Sequence, residues 1–314
     1  MPRNDFNGDG RSDILWMFHE NVAVSNWLTT PSGGFSINDA SAFNWLNAFH
    51  LFELKATGDF NGDGRTDVLW NVDESPFHSV WLASAEGGFP NAFSGDASFQ
   101  MGDVNWSIVG TGDFNGDGVD DLLWRNADGR LSNWLGGSAG SFVVNDANAM
   151  VHVGNNWGVV GTGDFDGDGR SDILWQSDDG WISTWLGTAA GGYVINDAAA
   201  LMRMRVPVAG IGDFNADGRD DIVIVDDWSF YSVLLADAEG GFKGNPYQPF
   251  ADASAGWTIH GIGDYNRDGM DDLLMRNASG AVTYWLADGS GCDFVQSSLL
   301  YSVPNDWQII DYLV

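Results

Sequence analysis

Asp-Phe-Asn-Gly-Asp-Gly-Arg-Ser-Asp-Ile-Leu-Trp, residues 5–16, is the stretch on which the reading of this chain turns. It returns little changed at 59–70, 113–124 and 164–175, and in altered form at 213–224 and 264–275. Successive copies begin 54, 54, 51, 49 and 51 residues apart. A period of that size, held along the chain, marks a repeat architecture in which each copy is one supersecondary unit.

Within each copy the oxygen-bearing residues fall at positions 1, 3, 5 and 9. Position 1 is Asp5, Asp59, Asp113, Asp164, Asp213 or Asp264, and position 3 is Asn7, Asn61, Asn115, Asp166, Asn215 or Asn266. Position 5 is Asp9, Asp63, Asp117, Asp168, Asp217 or Asp268, and position 9 is Asp13, Asp67, Asp121, Asp172, Asp221 or Asp272. A hard cation such as Ca²⁺ takes six to eight oxygens, and carboxylates on alternate residues of a tight loop supply them. A main-chain carbonyl from position 7 adds to the set, here Arg11, Arg65, Val119, Arg170, Arg219 or Met270. Glycine at position 6 permits the sharp turn. An EF-hand would carry Glu at position 12, where this chain has Trp16, Trp70, Trp124 and Trp175. The residues after position 9 read as a strand, which places a calcium loop inside a β-hairpin and predicts about six ions, one per copy.

The third copy shows the surrounding plan. A strand over 106–112 leads into the loop, 122–125 is a second strand, Asn126-Ala-Asp-Gly is turn chemistry, and strands follow at 131–135 and 141–145. The third strand recurs around Trp27, Trp81, Trp185, Leu234 and Trp285, and the fourth at Phe35, Phe89, Tyr193, Phe242 and Phe294. Four short strands per copy is the size of one propeller blade. The first copy lacks its leading strand, and Trp307-Gln-Ile-Ile matches Trp106-Ser-Ile-Val at the far end. The expected fold is all-β: a six-bladed β-propeller of four-stranded blades, closed by a C-terminal strand that completes the first blade and removes two sheet edges. The expected blades are 1–38 with 305–314, 50–94, 104–146, 155–197, 207–245 and 256–296, in a single domain spanning 1–314.

Forty-four acidic against 13 basic residues give a formal charge of −31, and the loop positions hold 19 of those acids. Without metal each acid cluster repels itself, so stability is expected to depend on the ion. The charge argues against nucleic acid and anionic membranes as partners. Cys292 is the single cysteine, which excludes an intrachain disulfide. No apolar run approaches the ~20 residues that span a bilayer. The start has no signal-peptide pattern, yet calcium loops suit the extracellular space or the cell surface. The expectation is a monomer released from a longer secreted precursor, or exported by a route not encoded here.

Gly-Asp-Phe-Asn-Gly-Asp-Gly-x-x-Asp, at 112–121 and its repeats, resembles the FG-GAP/VCBS repeats of bacterial extracellular proteins, relatives of the calcium-bearing blades of integrin α-subunits. The resemblance covers essentially the whole chain. It implies a propeller with calcium loops between the first two strands of a blade, ligands at positions 1, 3, 5, 7 and 9, and a secreted binding or adhesive role. The chain departs from integrins in having six copies rather than seven blades, and it lacks the Phe-Gly and Gly-Ala-Pro signatures.

Ligand charge grades the loops. The fourth has four carboxylates and is expected to bind tightest. The fifth and sixth replace the position-4 glycine by Ala216 and Arg267 and are expected to bind weakest. Tryptophans at repeat positions read as packing. Trp45 and Phe49, in the longest inter-blade connection, and Trp181 and Trp228, in turns between second and third strands, are candidates for ligand contact. Arg203 and Arg205 form the one local basic spot, suited to a carboxylated polysaccharide. The five histidines share no spacing, and no catalytic constellation emerges. The expected function is a non-enzymatic binding module with a protein or glycan ligand. The alternatives are a lectin or accessory propeller of a polysaccharide-degrading enzyme and, further off, a calcium-dependent lyase.

Overall fold

The computed structural model describes residues 3–18, 23–46, 52–72, 76–92, 98–101, 103–226, 230–243, 251–252, 256–290, 293–297 and 300–310. Six antiparallel sheets follow one another, one per copy of the loop. Blade 3 is representative: Trp106–Gly112, Asp121–Asn126, Arg130–Gly137 and Ser141–Val144 pair in sequence order. Blade 4 repeats this with Trp157–Gly163, Asp172–Ser177, Trp181–Gly187 and Tyr193–Ile195. In blade 1 the inner strand is Trp307–Ile309, pairing antiparallel with Ile14–Phe18 in the register Trp16↔Ile309, Met17↔Gln308 and Phe18↔Trp307. The ring is a six-bladed β-propeller closed by its C-terminal strand, as the sequence predicts.

Two side-chain rules and one backbone rule hold the blades together. The aromatic at position 2 of every loop is fully buried: Phe6, Phe60, Phe114, Phe165, Phe214 and Tyr265. Each meets, edge-on, an aromatic of the next blade: Phe89, Phe142, Tyr193, Phe242, Phe294 and, across the closure, Phe35, at 5.3–6.1 Å between centroids. Such pairs add about 1 kcal/mol each beyond area burial. The tryptophan at position 12 is buried too, tilted against the third-strand tryptophan of its own blade in the pairs Trp16–Trp27, Trp70–Trp81, Trp124–Trp134 and Trp175–Trp185, at 5.0–5.4 Å. Repeated tryptophans are therefore core. Finally, the N–H at position 8 of each loop donates to the position-1 carbonyl of the preceding loop. These bonds are Thr66 to Asp5, Asp120 to Asp59, Ser171 to Asp113, Asp220 to Asp164, Asp271 to Asp213 and Ser12 to Asp264, all 2.7–2.9 Å. They form an unbroken hoop.

Three details depart from the sequence reading. First, Phe89 opens no fourth strand in blade 2. Pro90 has no N–H to give a ladder, and the Asn91 side chain stands in, accepting from Leu82 N at 2.8 Å and donating to Val80 O at 3.2 Å. Second, five blades carry an extra two-residue strand in the connection to the next blade, such as Val151–His152 against Arg130 and Leu131. In blade 2 the corresponding strand is Ser98–Gln100, which pairs with Phe77–Trp81. Third, the connections leaving blades 1, 3 and 4 open with one-turn helices, at Asp39–Ala42, Asp146–Ala149 and Asp197–Ala200. The preceding asparagine crosses to the Gly-Gly hairpin of the next blade: Asn38 Nδ2 donates to Glu86 O, Asn145 to Ala190 O and Asn196 to Glu239 O. The aspartate accepts from a serine of its own third strand, Ser25, Ser132 or Ser183. The second glycine of the hairpin is required by space: a Cβ at Gly88 would lie 2.2 Å from Ser41 O.

Candidate metal centres

Strand direction places the six loops and the Gly-Gly hairpins at one face of the ring, and the second-to-third strand turns and inter-blade connections at the other. Each loop is shaped by its own carboxylates. In the first, Asp5 Oδ1 accepts from Gly8 N and Asp9 N, and Oδ2 from Gly10 N, at 2.8–3.1 Å. Asn7 Oδ1 accepts from Asp9 N, and Asp9 Oδ1 from Arg11 N. Position 1 accepts from three N–H groups in each of the other five loops as well, the first of them in the fifth loop being Asn215 N. These bonds curl the chain so that side chains from alternate positions converge.

The position-9 carboxylate joins loop to blade. Asp13 Oδ2 accepts from Phe6 N at 3.0 Å and Oδ1 from Thr29 N, on the third strand, at 2.7 Å. Asp121, Asp172, Asp221 and Asp272 do the same with their own loop and third strand, and Asp67 with its loop and with Ala83 N just past the end of the third strand. All six are buried. Burial, opposed by these N–H groups and reinforced by the other loop acids, pushes Asp67, Asp121, Asp172, Asp221 and Asp272 up to about 8 and Asp13 well above its ordinary value. Such a group holds its charge at neutral pH only beside a compensating cation, and oxygens with spare lone pairs are the donors a hard ion takes. In the fourth loop, oxygens of Asp164, Asp166 and Asp172 lie within 4.8 Å of one another. The donor set fits Ca²⁺.

Position 4 has positive φ in every loop: Gly8, Gly62, Gly116 and Gly167 at 73–78°, Ala216 at 57° and Arg267 at 64°. The two replacements therefore carry the strain expected of them, ~1 kcal/mol or more each. The Arg267 side chain leaves its own loop, however: a Cβ at Gly10 of the first loop would lie 2.9 Å from Arg267 Nε. Its charge sits at the seam between the sixth and first loops instead of inside the sixth. The arginines at position 7 were legible only as carbonyl donors. Their side chains fold back onto the position-5 carboxylate, pairing Arg65 with Asp63, Arg170 with Asp168 and Arg219 with Asp217, with Arg11 Nη1 3.6 Å from Asp9 Oδ2. Val119 and Met270 leave Asp117 and Asp268 without that counter-charge from position 7.

The candidate ligand residues lie on the opposite face. Trp45 is 63% exposed and ends a run of rings, Phe18–Trp307–Phe43–Trp45, with centroids 4.9, 6.5 and 5.2 Å apart. Trp181 starts the third strand of blade 4 rather than lying in the turn before it, is 39% exposed and carries the Arg203 guanidinium 5.8 Å from its centroid. Arg203 also donates to Asp179 O, and Arg205 is exposed. Phe49 and Trp228 lie outside the described residues, as does Cys292. The structure thus separates Trp45, in blade 1, from the Trp181–Arg203 pair in blade 4. At the axis, a cavity of about 400 Å³ is lined by Thr57, Thr111, Thr162 and Asp120, with Arg3 3.4 Å from Asp220.

The FG-GAP-like repeat matches at residues 5–70, 59–124, 113–175 and 213–275, well over half of the chain. The chain belongs to the FG-GAP-like repeat family. No curated protein matches it in sequence. Among solved structures, this FG-GAP-like propeller is similar to the periplasmic gluconolactonase PpgL of Pseudomonas aeruginosa, with TM-score 0.53 and 15% identity over 92% of this chain and 80% of that one. A putative 6-phosphogluconolactonase from Bacteroides uniformis is also similar, with TM-score 0.51 and 13% identity over 94% and 83%. At these identities the likeness is one of fold.

Proposed function

We propose that this FG-GAP-like propeller binds calcium in its six loops and works as a secreted or surface-associated binding and adhesion module without turnover. The observation that carries the reading is the sixfold recurrence of a buried position-9 carboxylate, held by two N–H groups and facing the loop's other acids. The ion would be held by positions 1, 3, 5 and 9 and the position-7 carbonyl, and would supply the missing positive charge. Calcium at that level of demand is plentiful outside the cell. Calorimetric titration of chelator-treated protein tests this. The expected stoichiometry is about six ions per chain, with the loops at 213–221 and 264–272 filling last. Arg267→Gly should tighten the last step by relieving the positive φ. A chain that takes up fewer than two ions at millimolar calcium would refute the proposal.

Carbohydrate is the ligand class favoured by Trp45. An exposed indole packed edge-on against Phe43, with Trp307 and Phe18 behind it, is a platform for the apolar face of a sugar. Binding on a glycan array should be lost in Trp45→Ala with the melting temperature unchanged. An unaltered array profile would remove Trp45 from the ligand site.

A further inference from the structure

Eight of the thirteen arginines and lysines pair with a carboxylate. Two more are engaged between blades. Arg125 and Arg276, each the residue after position 12, lie over the position-12 rings of the next blade, Trp175 and Trp16, with Cζ 5.1 and 5.5 Å from the centroids. Arg125 donates to Val153 O, Gly154 O and Trp157 O at 3.0–3.3 Å, and Arg276 to Val303 O, Pro304 O and Trp307 O at 2.6–3.5 Å. Arg267 stands at the seam between the sixth and first loops. Arg203 and Arg205 remain. Among the described residues neither pairs with a carboxylate, those of Asp178 and Asp179 in the adjoining turn included.

These two stand together beside an open ring. Both are exposed and Met204 between them is buried, so the alternation puts both guanidiniums on the solvent side. Arg203 is the direct cross-strand partner of Trp181, and its Nε donates to Asp179 O at 3.3 Å. Arg205 lies against Gly180, where a Cβ would come 3.0 Å from its Cγ. Trp181 is 39% exposed, and among the described residues no other ring meets it. The backbone beneath is fixed: Met204 N donates to Gly180 O at 2.6 Å, and Gln176 Nε2 to Met204 O and Val206 O at 3.3 Å. The equivalent bonds in blades 3 and 6 are Val153 N to Gly129 O and Val303 N to Gly280 O. They put His152 and Ser302 in the place of Arg203, and Gly154 and Pro304 in the place of Arg205. Trp181 is replaced there by Arg130, already paired with Asp128 at 2.9 Å, and by Ala281. Arginines two residues apart occur once in the sequence, whereas the residues that build the blades recur.

We propose that blade 4 binds a uronate unit of an acidic oligosaccharide here, its ring against Trp181 and its carboxylate on Arg203 and Arg205. A guanidinium fork matches a carboxylate bidentately, and an exposed indole takes the apolar face of a sugar. An acidic peptide would use the two charges and leave the ring unused. The formal charge of −31 does not oppose an anion at this spot. The acids of the fourth loop lie at the other end of the strand Asp172–Ser177, about 16 Å away at ~3.3 Å per residue, or roughly two screening lengths at physiological ionic strength. The site rests on the reading of this chain as a binding module, and it is independent of Trp45 in blade 1.

Trigalacturonic acid and its fully methyl-esterified form are the probes, since esterification removes the charge and keeps the rings. The peptide acetyl-Gly-Glu-Gly-Glu-Gly-amide is the control for a polypeptide ligand. Calorimetric titration of calcium-loaded protein, freed of excess ion, should show the acid binding at least about tenfold more tightly than the ester. Replacing both arginines, Arg203→Ala with Arg205→Ala, should weaken the acid at least about tenfold and leave the melting temperature unchanged. Trp181→Ala should weaken the acid as well. Arg205→Gly, copying Gly154, should give a smaller loss and serves if the double variant does not fold. Trp45→Ala should leave trigalacturonate binding as it is, so failure here beside a glycan-array signal that depends on Trp45 removes this site alone. Equal binding of acid and ester, no binding of the acid at roughly 10 mM, or tighter binding of the peptide would overturn the proposal. So would an unchanged affinity in the arginine variants or in Trp181→Ala, or loss of the acid in Trp45→Ala.

Discussion

Stripped of calcium by chelator, the protein should melt at least about 15 °C lower than in millimolar calcium. A site filled at a thousand times its Kd contributes about 4 kcal/mol, and each kcal/mol moves the midpoint of a chain this large by roughly 2–4 °C. Two tight loops of six suffice for the shift. The pH dependence separates the two states further. In chelator, Asp67, Asp121, Asp172, Asp221 and Asp272 titrate near 8 when folded, against an ordinary 3.8. Between those values the folded state binds more protons than the unfolded one, so stability is fullest below pH 4 and falls as pH rises through 8. With calcium bound, these same groups are held ionised, and acid works the other way, displacing the ion by protonating its ligands. The curves of melting temperature against pH should therefore slope in opposite directions from pH 5 to 8. Parallel curves, or a chelator shift under about 3 °C, would mean the ions do not hold the fold.

The second large effect is expected at Arg276. Among the described residues the closing strand has three ladder pairs where the inner strand of blade 4 has six. The closure compensates with Ile310 N donating to Leu15 O at 3.0 Å, and with Arg276, 6% exposed, clamped between Trp16 and the carbonyls of Val303, Pro304 and Trp307. Bonds from a charged donor contribute about 1.5–3 kcal/mol each and the ring contact about 1, set against the cost of burying an unpaired guanidinium. The net expectation for Arg276→Ala is a loss of about 3 kcal/mol, with residues 300–310 becoming the first site of proteolysis. Arg125→Ala removes the same contacts beside an inner strand that is continuous with its own blade, and should cost less. Equal losses and unchanged cleavage would show that the closing strand needs no clamp.

The parts of this structure legible in the sequence are those written locally and often. The loop residues recur in every copy, so fold, blade number and ring closure could be read without coordinates. The need for positive φ at position 4 could be suspected from four glycines and is met by Ala216 and Arg267 as well. Less legible were interactions whose partner belongs to the next copy. Asn145 is 45 residues from Ala190, and neither is distinctive alone. Position 13 holds Met, Asn, Arg, Gln, Val and Arg across the six copies, and this variety makes sense only beside the neighbour's position 12. That Phe89 starts no strand in blade 2 could have been foreseen, since Pro90 follows it directly. The back-folding of Arg65, Arg170 and Arg219 could not, because position 7 serves equally well with Val119 or Met270.

The hoop of position-8 to position-1 bonds links each loop to the next through the carbonyl of the residue whose carboxylate shapes the loop. For the calcium sites proposed above, emptying one would therefore be expected to loosen the grip of the site after it and to leave the diametrically opposed one alone. Metal would then be lost around the rim from blade to blade, like a zip, in preference to leaving from scattered places.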